Sequence, residues 1–224
     1  MEERLTVDVA ALDAEGRGVA RNAEGKVVFV EGALPGEIVE ARHLGGKRSF
    51  DVARTVSVLR ESPARRAPRC PHFGVCGGCA TQHADSRTQV AAKQRWLEDC
   101  LARIGKVHAE CLLPPLYGDE WGYRRRARLS VRYVPSRGAL VGFRERRSTY
   151  VADMQSCDVL PPPVSALIPR LRELVGSLSI RDRVPQIEVA VGDEATVLVF
   201  RHLLPLTAAD EALLRRFAQD NSVH

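Results

Sequence analysis

Three thiols fall within ten residues, Cys70-Pro71-His72-Phe73-Gly74-Val75-Cys76-Gly77-Gly78-Cys79, and this C-x5-C-x2-C spacing constrains the chain more than any other stretch. Two soft ligands two residues apart on a glycine turn can address one metal without backbone strain. Three thiolates leave one position open. Cys100, Cys111 and Cys157 remain, and any of them can fold back to supply the fourth ligand. Cys157 stands in Met154-Gln155-Ser156-Cys157-Asp158, just ahead of Pro161-Pro162-Pro163, a loop-like setting from which a thiolate reaches across a fold. Cys100 lies on a helical pattern and suits an ordinary buried thiol. His72 and His83 flank the motif as alternative ligands, although a solvated or hydrogen-bonded histidine accounts for each.

Six cysteines in 224 residues are too few for a disulfide scaffold, and the charged opening Met1-Glu2-Glu3-Arg4 does not read as a secretory leader. Clustered thiols in a reducing compartment read as metal or cluster ligands. No apolar run approaches the roughly 20 residues of a membrane span. A cytoplasmic, monomeric protein is expected, long enough for one or two domains with their own cores.

The net charge of +5 is unevenly placed. Residues 1–59 carry 8 Lys and Arg against 10 Asp and Glu, residues 60–160 carry 18 against 10, and residues 161–224 carry 7 against 8. The basic excess therefore sits in the segment that holds the cysteine motif. A basic surface concentrated in one region points to a polyanion, most commonly a nucleic acid.

In the first sixty residues, Leu5, Val7 and Val9 alternate with Thr6, Asp8 and Ala10, the period of a half-buried strand. Turns at Gly16-Arg17-Gly18 and around Gly32 and Gly36 separate further β-branched runs at 26–30, 37–44 and 50–59, the last two joined at Gly45-Gly46-Lys47-Arg48. Short strands with glycine corners predict a small barrel of the OB type, a fold that commonly binds oligonucleotides. The barrel is slightly acidic, so RNA contact falls to local cations: Arg17, Arg21, Lys47 and Arg48. Its stretch Phe29-Val30-Glu31-Gly32-Ala33-Leu34-Pro35-Gly36-Glu37 resembles the signature of a TRAM domain, an OB-like RNA-binding barrel of RNA-modifying enzymes.

Residues 60–69 form a basic, proline-rich linker. Beyond the cysteines, Asp85 or Ser86 can cap a helix whose apolar positions are Val90, Leu97, Leu101 and Ile104 and which Gly105 ends. Read as a strand, residues 123–134 place Tyr123, Arg125, Ala127, Leu129, Val131 and Tyr133 on one, largely apolar face, and Arg124, Arg126, Arg128, Ser130 and Arg132 on the other. Side chains on one face repeat every ~6.6 Å, close to the separation of successive phosphates along a strand. An edge strand protected against aggregation usually carries one or two lysines, so four arginines on one face favour phosphate and base contact. A turn at Pro135-Ser136-Arg137-Gly138 returns 139–143 as a hairpin partner leading to Arg144, Arg146 and Arg147.

The remainder reads as a helix from Pro163 that Pro169 should kink or restart, two strands at 186–191 and 196–201, and a final helix capped by Thr207 and Asp210 with Leu213, Leu214 and Phe217 facing inward. The expected class is α+β: an OB-like five-stranded β-barrel over 1–60, a linker, cysteine motif and helix over 61–110, and a central α+β domain over 111–224.

Together the barrel, the cysteine spacing, Tyr123-Arg124-Arg125-Arg126-Ala127-Arg128, Gly142-Phe143-Arg144 and the late Cys157 resemble the bacterial 23S ribosomal RNA uracil-5-methyltransferases of the RumA/RlmD type. The resemblance implies a [4Fe-4S] cluster on Cys70, Cys76, Cys79 and Cys157, with Cys100 and Cys111 as ordinary residues and the cluster serving fold and RNA placement. It also implies 23S ribosomal RNA as partner, and S-adenosylmethionine as cofactor of a Rossmann-like domain that follows these elements. No glycine-rich loop between strand and helix supplies that domain, so the chain is expected to be inactive alone, with no catalytic residue to name. A zinc-stabilised RNA-binding module would use the same four cysteines. A radical S-adenosylmethionine enzyme fits less well, because its motif is C-x3-C-x2-C and its TRAM domain is C-terminal.

Overall fold

The structure is a computed structural model that describes residues 4–224. The chain divides into two units, Met1–Arg69 with Cys79–Leu116, and Cys70–Gly78 with Tyr117–His224.

In the first unit, period-two alternation builds β1 (Arg4–Leu12), which buries Val7 and Val9, half-buries Leu5 and exposes Thr6, Asp8 and Ala10. β2 (Gly18–Arg21), β3 (Val27–Glu31), β4 (Ile38–Lys47) and β5 (Phe50–Arg60) follow. They close in the order β1-β2-β3-β5-β4, with β3 and β5 parallel and every other pair antiparallel. Closure removes the unpaired edges that an open sheet presents. Small side chains fill the narrow interior: Val7, Val9, Ala20, Val28, Val30, Ala33, Val39, Ala41 and Ala53. Gly18 is required there, since a Cβ would lie 2.7 Å from Val9 Cγ1.

Two features of the barrel differ from expectation. β2 is a strand of four residues hidden behind the glycine turn, and it pairs with both β1 and β3. β4 runs through Gly45 and Gly46 to Lys47, because a register shift between His43 and Gly45 absorbs the glycines into the ladder.

The linker is pinned to the barrel. Glu37 is fully buried, and its carboxylate accepts from the Arg65 guanidinium at 2.5 and 2.6 Å, Leu34 N at 2.8 Å and Ser62 N at 3.3 Å. Burial alone would raise the Glu37 carboxyl, but these hydrogen bonds, led by Arg65, hold it below the ordinary carboxylate range.

Asp85 caps α1 (Ser86–Asp99) by accepting from Thr88 N at 2.7 Å. The helix then widens into a π-helical turn, Cys100–Gly105, and stops at Lys106 in the left-handed region, φ 55°. The wider turn takes Leu101 and Ile104 off the line of Val90 and Leu97, so the helical period of these four positions does not carry through. No residue of α1 is buried, and Ile104 is 79% exposed.

The second unit is an antiparallel sheet in the order β7-β6-β8-β9, formed by β6 (Arg126–Val134), β7 (Gly138–Gly142), β8 (Gln186–Val191) and β9 (Thr196–Arg201). β6 begins at Arg126, not Tyr123: the residues before it pair elsewhere, Gly122 N donating to Asp158 O and Arg124 N to Val159 O. α2 (Pro162–Ser177) buries Val164, Leu167, Ile168, Leu171, Leu174 and Val175. It runs as one helix through Pro169, so of the expected kink or restart the restart does not occur. Burial of six apolar side chains, each contributing roughly 1.5–3 kcal/mol, outweighs the loss of one helical hydrogen bond.

A short 3-10 turn, Arg181–Arg183, leads into β8. α3 (Ala208–Asn221) starts with the expected capping box, in which Thr207 Oγ1 accepts from Asp210 N and Asp210 accepts from Thr207 N. Leu213, Leu214 and Phe217 are half-buried, and only Asp210 of this helix is fully buried.

Candidate functional site

Hydrogen bonds to the His72 carbonyl from Val75 N (3.3 Å) and Cys76 N (2.9 Å), and from Phe73 N to Cys70 O (3.1 Å), curl the cysteine segment of the second unit into a tight loop. Cys76 is buried, and its Sγ accepts from Gly78 N at 3.3 Å. Cys157 is buried ahead of α2, where its N–H donates to Ser165 Oγ at 2.8 Å. That bond ties the loop before the helix to the first helical turns. Cys70 is half-buried in the same unit. In the first unit, Cys79 and Cys100 are half-buried, Cys111 is exposed, and His83 is buried. Cys100 is thus less buried than its helical pattern suggested. His72 is half-buried.

Among the described residues no three His, Cys, Asp or Glu side chains are gathered as a metal site. The donor set itself suits an iron-sulfur cluster: four thiols, one with an N–H already directed at its sulfur, are the ligands and the hydrogen bonding that such clusters take.

The arginine face lies on β6. Arg126, Arg128 and Arg132 are exposed, while Leu129 and Val131 are buried on the opposite face. Strand pairing sets Arg128 opposite Glu188, with 3.9 Å from Nε to Oε1. Glu188 was not foreseen as part of this face, because cross-strand register is not written locally in the sequence. The face continues over Ala190 to Val197 and Val199 on β9, the two valines being 38% and 57% exposed. Arg124 lies before the strand with its guanidinium 5.5 Å from the Phe143 ring centroid. Arg125, on the other parity, pairs with Asp193 at 2.6 Å.

On the barrel, Arg17 is engaged internally. It pairs with Asp13 at 2.6 Å and Glu15 at 3.2 Å and lies 4.5 Å over the Phe29 ring. Lys47 and Arg48 are exposed at the β4–β5 hairpin, Lys47 being 5.8 Å from the Phe50 ring. Phe29 and Phe50 meet edge to face at 5.3 Å. Arg21 donates to Gly25 O at 2.6 Å.

A closed five-stranded barrel carrying the 31–37 turn is the architecture of a TRAM domain, and residues 3–42 match the TRAM domain family. Along nearly its whole length the chain is similar to RlmD-type methyltransferases. It is 58% identical over 96% of its residues to the 23S rRNA (uracil(1939)-C(5))-methyltransferase RlmD of Nitrosospira multiformis, of which it covers 49%. It is 57% identical over 97% of its residues to the RlmD of Bordetella parapertussis, of which it covers 47%. The chain therefore spans about half the length of the curated relatives it matches. Among solved structures, the Pyrococcus abyssi tRNA (uracil-54, C5)-methyltransferase in complex with S-adenosyl-L-homocysteine shares the fold, with a TM-score of 0.63 over 92% of this chain and 48% of that one at 21% identity.

No helix among the described residues is long and apolar enough to cross a membrane.

Proposed function

We propose that this chain is the RNA-binding and cluster-holding part of an S-adenosylmethionine-dependent methyltransferase that modifies C5 of a uracil in 23S ribosomal RNA. The similarity to RlmD over 96% of the chain supports the activity of the whole enzyme. The observation that carries the RNA-binding part is the open face of β6, where Arg126 and Arg132 have no ion-pair partner among the described residues. Phosphate contacts from that face position the RNA, and Arg128 contributes against the opposing pull of Glu188. Lys47 and Arg48 extend the contact on the barrel, with Arg17 and Arg124 contributing less because their guanidinium groups already have partners. The methyl-transfer step is assigned to no residue of these 224, and the enzyme works in the cytoplasm.

Cys70, Cys76, Cys79 and Cys157 hold a [4Fe-4S] cluster in this reading. When bound, the cluster supplies a rigid polythiolate cross-link. The residues' own part is to place four thiolates, with Gly78 N–H stabilising the charge on Cys76 and Ser165 fixing the Cys157 backbone.

Iron, zinc and labile sulfide content of the anaerobically purified chain, with its visible spectrum, tests the assignment. About four irons and four sulfides are expected, lost in Cys157→Ser and kept in Cys111→Ser. One zinc without sulfide would replace the cluster by a zinc-stabilised RNA-binding module, and equal effects of the two substitutions would remove Cys157 from the ligand set.

A further inference from the structure

Beyond β7 the chain continues as a small hairpin. Ala152 N donates to Phe143 O at 2.9 Å, Arg144 bridges Val151, and Glu145 N donates to Tyr150 O at 3.0 Å. The turn is closed by Ser148 N to Glu145 O at 3.4 Å and by Tyr150 N to Ser148 Oγ at 3.0 Å, with Arg147 in the left-handed region at φ 55°.

The cysteine loop lies along the outer edge of this hairpin. Gly77 N donates to Arg144 O at 2.8 Å, Arg146 N donates to Val75 O at 2.9 Å, and Cys76 bridges Glu145 in antiparallel sense. The Arg146 guanidinium lies 5.5 Å from the Phe73 ring centroid, a second tie between the two segments. Gly77 permits the approach, since a Cβ there would lie 3.0 Å from the Arg144 carbonyl oxygen. The hairpin is thus a middle strand whose outer neighbour is the segment with two of the clustered thiols.

What the hairpin presents is cationic and aromatic. Arg144 and Arg147 are exposed, Tyr150 is 73% exposed, and the one carboxylate between residues 143 and 152 is the half-buried Glu145. Arginine forks match phosphate oxygens, and an exposed ring beside them offers a stacking surface to an unpaired base. We propose that residues 144–150 are an RNA-contacting element, distinct from the β6 face, and that the loop Cys70–Gly78 holds it in position. The proposal rests on the RNA-binding reading above and adds to it a site that takes backbone phosphate and one stacked base. It also gives the cysteine loop a direct mechanical link to RNA affinity.

Three variants of the full chain, purified anaerobically and titrated with a 23S ribosomal RNA transcript over a range of salt, test it. Arg144→Gln with Arg147→Asn, asparagine being tolerant of the left-handed backbone, should weaken binding about tenfold and lower the salt slope by roughly one to two. Tyr150→Ala should weaken binding about tenfold with an unchanged slope. Gly77→Val removes no charge, yet by displacing the Arg144 carbonyl it should reproduce the loss seen for the arginine pair. If the wild-type chain binds RNA, Arg126→Ala with Arg128→Ala weakens it, and the arginine and tyrosine variants of the turn bind as wild type, the proposal is overturned while the RNA-binding reading stands. A wild-type chain that does not bind RNA overturns both. Should Gly77→Val fail to fold, the arginine pair and Tyr150→Ala decide.

Discussion

Both units are rich in arginine, yet they use it differently. In the barrel, Arg4, Arg17, Lys26, Arg54 and Arg60 each face a carboxylate within the same fold, Glu40, Asp13, Asp51, Glu31 and Asp8 respectively. On the sheet, α2 covers one face with apolar side chains, while the other carries Arg126, Arg128 and Arg132 against the single carboxylate of Glu188 on the neighbouring strand. A closed barrel has an outer surface all round, and these pairs hold much of its charge neutral there, with Lys47 and Arg48 standing apart at the β4–β5 hairpin. An open sheet with one covered face can leave a row of like charges on the other. Such a row costs self-repulsion that an anionic partner relieves. The contrast is local: among the described residues five cations of the barrel face a carboxylate, whereas on the β6 face only Arg128 does, at 3.9 Å.

The largest expected effect breaks the barrel side of this contrast. Glu37→Ala leaves the Arg65 guanidinium without its bidentate partner and should cost about 3 kcal/mol in urea denaturation followed by circular dichroism. An unchanged midpoint would mean that the Glu37–Arg65 pair contributes nothing to the first unit.

On the sheet side, Arg126→Ala, Arg128→Ala and Arg132→Ala together should weaken binding to 23S ribosomal RNA at low salt by about 30-fold and reduce the salt slope by roughly two. Stability should change little, since all three are exposed. Conversely, Glu188→Gln should tighten binding a few-fold by releasing Arg128. Weaker binding in Glu188→Gln would show that the carboxylate orients Arg128 and does not oppose it.

A smaller effect is expected in acid. Hydrogen bonds from the side chain and backbone of Ser179, then from Thr207, hold the Asp210 carboxyl well below the usual carboxylate range. A depressed folded-state value means that these bonds stabilise the second unit fully above about pH 4 and lose that contribution as pH falls through the lower folded value. Asp210→Asn should lower the neutral-pH thermal midpoint by about 5 °C and flatten its fall in acid. Parallel curves for the two proteins would remove Asp210 from the acid response. Smallest of all, Arg4→Ala breaks a 3.3 Å pair whose arginine is 54% exposed and should change stability by less than about 0.5 kcal/mol.

Much of this architecture is legible locally. The alternation of Leu5, Val7 and Val9 specifies β1, and Thr207 with Asp210 specifies the start of α3. The same alternation separates the arginine and apolar faces of β6, because a strand's faces depend only on its own residues. What the sequence hides depends on partners distant along the chain. β2 is too short to show a period and exists because β1 and β3 flank it. Glu188 opposes Arg128 only through inter-strand register, and the continuity of α2 through Pro169 follows from the face it buries. For the candidate site, the spacing of Cys70, Cys76 and Cys79 is plain in the sequence, whereas the pairing of that loop with residues 144–146 is not.

That pairing bears on how the protein is made. The partner strand of the cysteine loop is translated long after it: Gly77 bonds to the carbonyl of Arg144. A ribosome adding about 5–20 residues per second needs roughly 3–13 s to cover the intervening chain. During that interval the barrel already has all five of its strands, while Cys70 and Cys76 have emerged without the backbone that will flank them. The thiols therefore pass through a window of chemical vulnerability at birth, so oxidant exposure during synthesis should damage this segment far more than the same exposure of the finished protein.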